Sequence, residues 1–139
     1  MTKNVLVSVV GRQFDIDEEA IELVTNGQYH MKNGKHYILY EERLSQEDDV
    51  TKNVVKIGQE IIELRKNGAS TLHMIFEVGK KHYSNYHTPM GMLVVGIDTR
   101  EVDWIEEEEE LKLRIVYDLE VSGTFVSKCE INLHIRATM

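Results

Sequence analysis

Hydrophobic and polar residues alternate most cleanly near the C-terminal end of the chain. In LKLRIVYDLEV, Leu111, Leu113, Ile115, Tyr117 and Leu119 fall on one face, and Lys112, Arg114, Asp118 and Glu120 on the other. Val116 is the one apolar exception. After Ser122-Gly123, TFVSKCEINLHIR repeats the pattern, with Phe125, Cys129, Ile131, Leu133 and Ile135 on one side. Lys128, Glu130, Asn132, His134 and Arg136 face away from them. Successive side chains of a strand point to opposite faces, so two period-two runs across a short glycine-containing turn predict a hairpin with one buried face.

Earlier segments carry the same signal. Asn4–Val10 is apolar and β-branched, a first strand, and Ile21–Met31 alternates through Ile21, Leu23, Tyr29 and Met31. Asn33-Gly34 is a two-residue hairpin turn, because both residues tolerate positive φ, and Lys35–Leu44 follows as its partner strand. A turn at Lys66-Asn67-Gly68 leads into STLHMIFEV, which alternates through Leu72, Met74, Phe76 and Val78. In Val54–Leu64, Val54, Ile57, Ile61 and Leu64 also fit helical spacing. A mid-pattern Gly58 costs a helix about 1 kcal/mol, and the segment is β-branched, so two short strands broken near Gly58-Gln59 fit better. Asp17 has the chemistry to cap a short helix before Ile21, but strand is expected from Ile21 onward.

The chain's only proline lies in HTPMG, with Pro89 second and Gly91 fourth in the order Thr88-Pro89-Met90-Gly91 that a type I turn prefers. The following MLVVGIDTREVDW reads as a long strand, with Gly96 as a bulge or bend. The sum is about 8–10 antiparallel strands with turn signals roughly every 8–12 residues, an all-β barrel or sandwich. Consecutive hairpins without a long crossover predict up-and-down connectivity, in a single domain over residues 1–139.

Composition narrows the function classes. Hydrophobic residues make up 42% of the chain, enough for a packed core. A net charge of −8, from 24 acidic against 16 basic residues, argues against nucleic acid or an anionic membrane surface as partner. The five consecutive glutamates Glu106–Glu110 read as a solvated loop or strand end, not a metal cage. Cys129 is alone, without a disulfide partner or a zinc-ligand neighbour. The first residues lack a long apolar run, so a cytoplasmic location is expected. The six histidines show no metal-ligand spacing, and His82 and His87 fall on opposite faces if they share a strand. Nor is there a GxSxG or a phosphate-binding loop, so no catalytic residue, metal or cofactor is expected.

The segment FEVGKKHYSNYHTPMGMLVVGIDT, followed by LRIVYDLEV and a last alternating strand, resembles the YwiB-like family of uncharacterised small bacterial proteins. The family's Tyr-x-Thr-Pro-aromatic-Gly segment is matched by Tyr86, Thr88, Pro89 and Gly91, with Thr99 closing the strand. Gly27 before Tyr29, Tyr40 to Glu42, and Arg65 with Gly68 before Phe76 extend the likeness over about Val5 to Ile135. Met90 departs from it, standing where an aromatic residue is common. The resemblance implies a calycin- or lipocalin-like antiparallel barrel and brings no established activity.

A barrel of about eight strands is either filled by side chains or just able to hold one small ligand. Tyr40 and Glu42 share a face of their strand, and Arg65, Tyr86 and Tyr117 are further polar candidates for the interior. Such groups would orient the head of a small, partly apolar ligand, or satisfy one another as a structural cluster. The expected function is non-catalytic small-molecule binding in the barrel mouth. The alternative is a filled barrel acting through its surface or as a homodimer.

Overall fold

The computed structural model describes residues 2–13, 17–43 and 50–138. Ten strands follow in chain order: β1 (Thr2–Gln13), β2 (Asp17–Lys32), β3 (Lys35–Arg43), β4 (Val50–Ile57), β5 (Ile62–Asn67), β6 (Thr71–Phe76), β7 (Lys81–Thr88), β8 (Gly91–Glu106), β9 (Glu110–Val121) and β10 (Thr124–Ala137). Each pairs antiparallel with its neighbours in sequence, and β1 pairs with β10 to close a ten-stranded up-and-down barrel. No helix occurs among the described residues. The segment before Ile21 is already strand, and Leu44 lies outside the described residues.

Turn chemistry sets the registers. Asn33 and Gly34 (φ 54° and 76°) and Ser122 and Gly123 (φ 50° and 85°) supply the paired positive φ values of two-residue hairpin loops. The break at Gly58 is where the sequence places it, closed by the Gly58 amide donating to the Ile61 carbonyl at 3.0 Å. Thr88 ties the β7–β8 turn, its hydroxyl donating to the Gly91 carbonyl and accepting from the Met90 amide. Met90 is almost fully exposed at that tip and stacks on nothing. Val78 lies beyond β6, in an exposed turn.

Inward rows form the core. Val7, Ile38, Ile57, Ile62, Phe76 and Ile97 are all but sealed from solvent, and each contributes about 1.5–3 kcal/mol of burial. Gly27 belongs to this packing. A Cβ there would lie 2.6 Å from the Leu39 carbonyl oxygen and 2.8 Å from a Val7 methyl, so only glycine lets β1, β2 and β3 approach so closely.

Bulges correct two details of the sequence pattern. Gly96 sits in regular register with Tyr83 and Glu120. Its missing side chain leaves room for those two neighbours, which a Cβ would meet at 3.1 and 2.7 Å. The register shift of β8 falls instead between Thr99 and Glu101. A second shift, between Phe125 and Ser127, pairs Phe125 with Glu120 and Ser127 with Leu119. Phe125 is therefore exposed, and Ser127 takes its inward place.

The outer wall is ionic. Arg114 reaches Glu101 at 2.9 Å and Glu130 at 2.8 Å, and Arg100 reaches Asp118 at 2.7 Å. Exposed pairs of this kind are screened by solvent and add little to stability. Around the ring, β6 and β7 are the weakest join, sharing the single bridged pair Thr71–His87.

Candidate functional site

The residues singled out in the sequence occupy three different places. Ile38, Tyr40 and Glu42 form the inward row of β3. Asn53, directly opposite Tyr40, donates from Nδ2 to Glu42 Oε1 at 3.1 Å. The cation that completes this cluster is Lys66, whose Nζ lies 3.0 Å from the same carboxylate oxygen. Arg65 does not join it. Ile62 and Leu64 fix the parity of β5, which sends Arg65 to the exposed outer face and Lys66 inward. Tyr86 enters half-buried from β7, packed against the core. Tyr117 fills the middle of the barrel, its ring 5.2 Å from that of Phe76. Burial and the neighbouring Glu42 push the Tyr40 hydroxyl well above its ordinary pKa. Burial, then Cys129, does the same to Tyr117. Glu42, Asn53 and Lys66 thus form a hydrogen-bonded cluster within the protein, while Asn53 Oδ1 keeps an unused acceptor.

Open space lies at the opposite end, where the chain turns through 33–34, 58–61, 77–80 and 107–109. A cavity of about 650 Å³ opens there between β1, β2, β9, β10 and the β8–β9 loop. Val5, Leu111 and Ile135, each 3% exposed, form its floor, so it reaches the core. Tyr29, Met31 and Ala137 line its wall, and Lys3 and Glu106–Glu110 its rim. The acidic loop is pinned by two backbone bonds, Glu107 amide to Glu110 carbonyl and Ala137 amide to Glu109 carbonyl.

A chain of polar and aromatic groups crosses this mouth. The Tyr29 hydroxyl and His36 Nδ1 are 2.6 Å apart, and His36 Nε2 is 3.7 Å from Glu106 Oε1. A hydroxyl donating to Nδ1 leaves the ring proton on Nε2, facing the carboxylate. His36 is itself buried and meets Trp104 of β8 edge-on at 5.3 Å. Burial, with Glu106 nearby, raises the Tyr29 pKa. The bridge from β2 and β3 to β8 leaves a smaller cavity of about 360 Å³ beside Ile62, Val102 and Trp104.

Sequence reasoning placed Tyr29 on an apolar row and counted His36 among the histidines, but did not connect them. The available signal was a histidine interrupting the inward row His36, Ile38, Tyr40. The contact with Trp104 spans the lumen and has no local signature. Among the described residues no group of three His, Cys, Asp or Glu side chains converges as a metal site would require.

Comparison with known proteins agrees with this architecture. The chain is 28% identical over 109 residues to the uncharacterised beta-barrel protein YwiB of Bacillus subtilis (strain 168), covering 77% of this chain and 74% of that protein. The crystal structure of the ywiB protein from Bacillus subtilis superposes with a TM-score of 0.80 at 21% identity, over 99% of this chain and 92% of the other. The model of a domain of unknown function, DUF1934, matches residues 7–133. With nearly its whole length matched, the chain belongs to the DUF1934 family of β-barrel proteins.

Proposed function

We propose that this barrel is a non-catalytic small-molecule binding protein, with its ligand in the mouth beside the 107–109 loop. One observation carries the reading: a cavity of about 650 Å³ runs from the rim down to Val5, Leu111 and Ile135 of the core. That volume lies within the roughly 300–1,000 Å³ of drug-sized ligand pockets, and an apolar floor with a few polar groups above it is their usual make-up. Tyr29 supplies a polar group on the wall, held by His36. The ionic outer wall, opposite in character to a lipid-facing barrel, supports a protein that works in water. The Glu42–Asn53–Lys66 cluster has a structural role in this reading.

The test is fluorescence titration with N-phenylnaphthylamine, a neutral probe that brightens in apolar surroundings. Saturable binding at one site is expected, lost in Ala137→Phe, which fills the cavity, and weakened in Met31→Trp on its wall. Glu42→Gln should leave it unchanged. Absence of saturable binding, or binding indifferent to Ala137→Phe in a folded variant, would refute the reading.

One observation favours a second reading, a barrel that acts through its surface or as a homodimer. Tyr83, Met92 and Val94 are exposed on the outer face of the β7–β8 hairpin, with Met90 at its tip, apolar groups of the kind that mark contact sites. Light scattering of the chain and of Met92→Lys would separate a dimer held by this patch from a monomer.

A further inference from the structure

We propose that the ligand of the mouth cavity is an amphiphilic cation, an organic ammonium or amidinium group on an apolar tail. This rests on the binding-barrel reading and adds the charge of the ligand to it. The cavity is apolar at its floor and acidic at its rim. A tail seats against Val5, Leu111 and Ile135, and the head then lies at the level of the 106–110 segment.

The rim has one sign. Among the described residues, five glutamates line it against one cation, Lys3. Glu106 has His36 at 3.7 Å and Glu110 has His134 at 3.6 Å. Among the described residues, no cation pairs with Glu107, Glu108 or Glu109. The two backbone bonds of the loop fix its backbone at the edge of the opening, so these three residues stay at the rim. An anionic head would be repelled here, and a neutral one would gain from the floor alone. A bare metal ion is disfavoured because no three ligating side chains converge among the described residues. Carboxylates of this exposure are screened beyond about 8 Å at physiological ionic strength, so the preference acts at the rim and fades with salt.

The experiment is calorimetric titration at low salt with decyltrimethylammonium, decyl maltoside and decyl sulfate. All three share one tail, and each is kept below its micelle concentration. The expected order is cation, then neutral, then anion, with at least about a tenfold gap between the extremes, equivalent to about 1.4 kcal/mol. Stoichiometry should be one per chain, binding should vanish in Ala137→Phe, and added salt should narrow the gap. Replacing Glu107, Glu108 and Glu109 together with glutamine should bring cation and anion within about threefold of each other. The same variant should hold the maltoside unchanged. Equal affinities for the three heads, an anion preference, or cation binding that survives Ala137→Phe would overturn the inference while maltoside binding keeps the carrier reading alive. Failure of all three amphiphiles to bind would overturn both.

Discussion

Gly27 shows how much one position decides. Its Cβ would have to occupy space held by the Leu39 carbonyl and Val7, and backbone cannot yield as a flexible side chain can. Gly27→Ala should therefore destabilise the barrel by about 1–3 kcal/mol, read as a lower denaturant midpoint with an unchanged m-value. The buried and half-buried tyrosines set a second residue-scale expectation. Tyr29, Tyr40 and Tyr117 all have raised pKa values, so the folded state favours their neutral form. Their contribution to stability is complete below about pH 10, where tyrosine in the unfolded chain ionises, and is lost as pH rises beyond it. The melting temperature should hold from neutral pH to about pH 9 and then fall. In Tyr40→Phe the alkaline decline should be shallower; an identical slope would remove Tyr40 from the account. Position-level legibility was uneven. The parity of Ile62 and Leu64 already assigns Lys66 to the interior and Arg65 to the exterior, yet the pairing of Lys66 with Glu42 emerges only when β4 brings their strands together.

At the scale of elements, the strands with one apolar and one charged face were readable because alternation is written directly into them. The β9–β10 hairpin and the break at Gly58 follow from side-chain spacing and turn chemistry. The register shifts at Thr99–Glu101 and Phe125–Ser127 were not readable, because a bulge inserts one residue without altering the local composition. The glycine that seemed to mark the bend, Gly96, instead lies under Tyr83 and beside Glu120. The strands are also joined unequally. Backbone groups of β6 and β7 that face each other share only the Thr71–His87 pair, whereas β9 and β10 pair along nearly their full length. Hydrogen exchange should find the amides of Leu72–Phe76 and Lys81–Tyr86 that face this join exchanging at least about tenfold faster than those between β9 and β10. Equal protection on both sides would contradict a weak seam.

For the molecule as a whole, ten strands in sequence order, closed by β1 and β10, make a wall whose interior is packed in the middle and open at one end. Strand number and connectivity were legible in the sequence. The cavity was not, because it depends on how far the strands of that mouth stand apart and on side chains from β2, β3 and β8 meeting across it. The Glu106–Glu110 run was legible as a solvated segment, but its position above an apolar floor was not. The central claim is that this mouth binds a small molecule. NMR shift mapping with N-phenylnaphthylamine tests it most directly, because it locates the probe as well as detecting it. The account predicts saturable shifts concentrated at Val5, Tyr29, Leu111, Ile135 and Ala137. Shifts confined to the Met90–Val94 hairpin, or none at all, would contradict it.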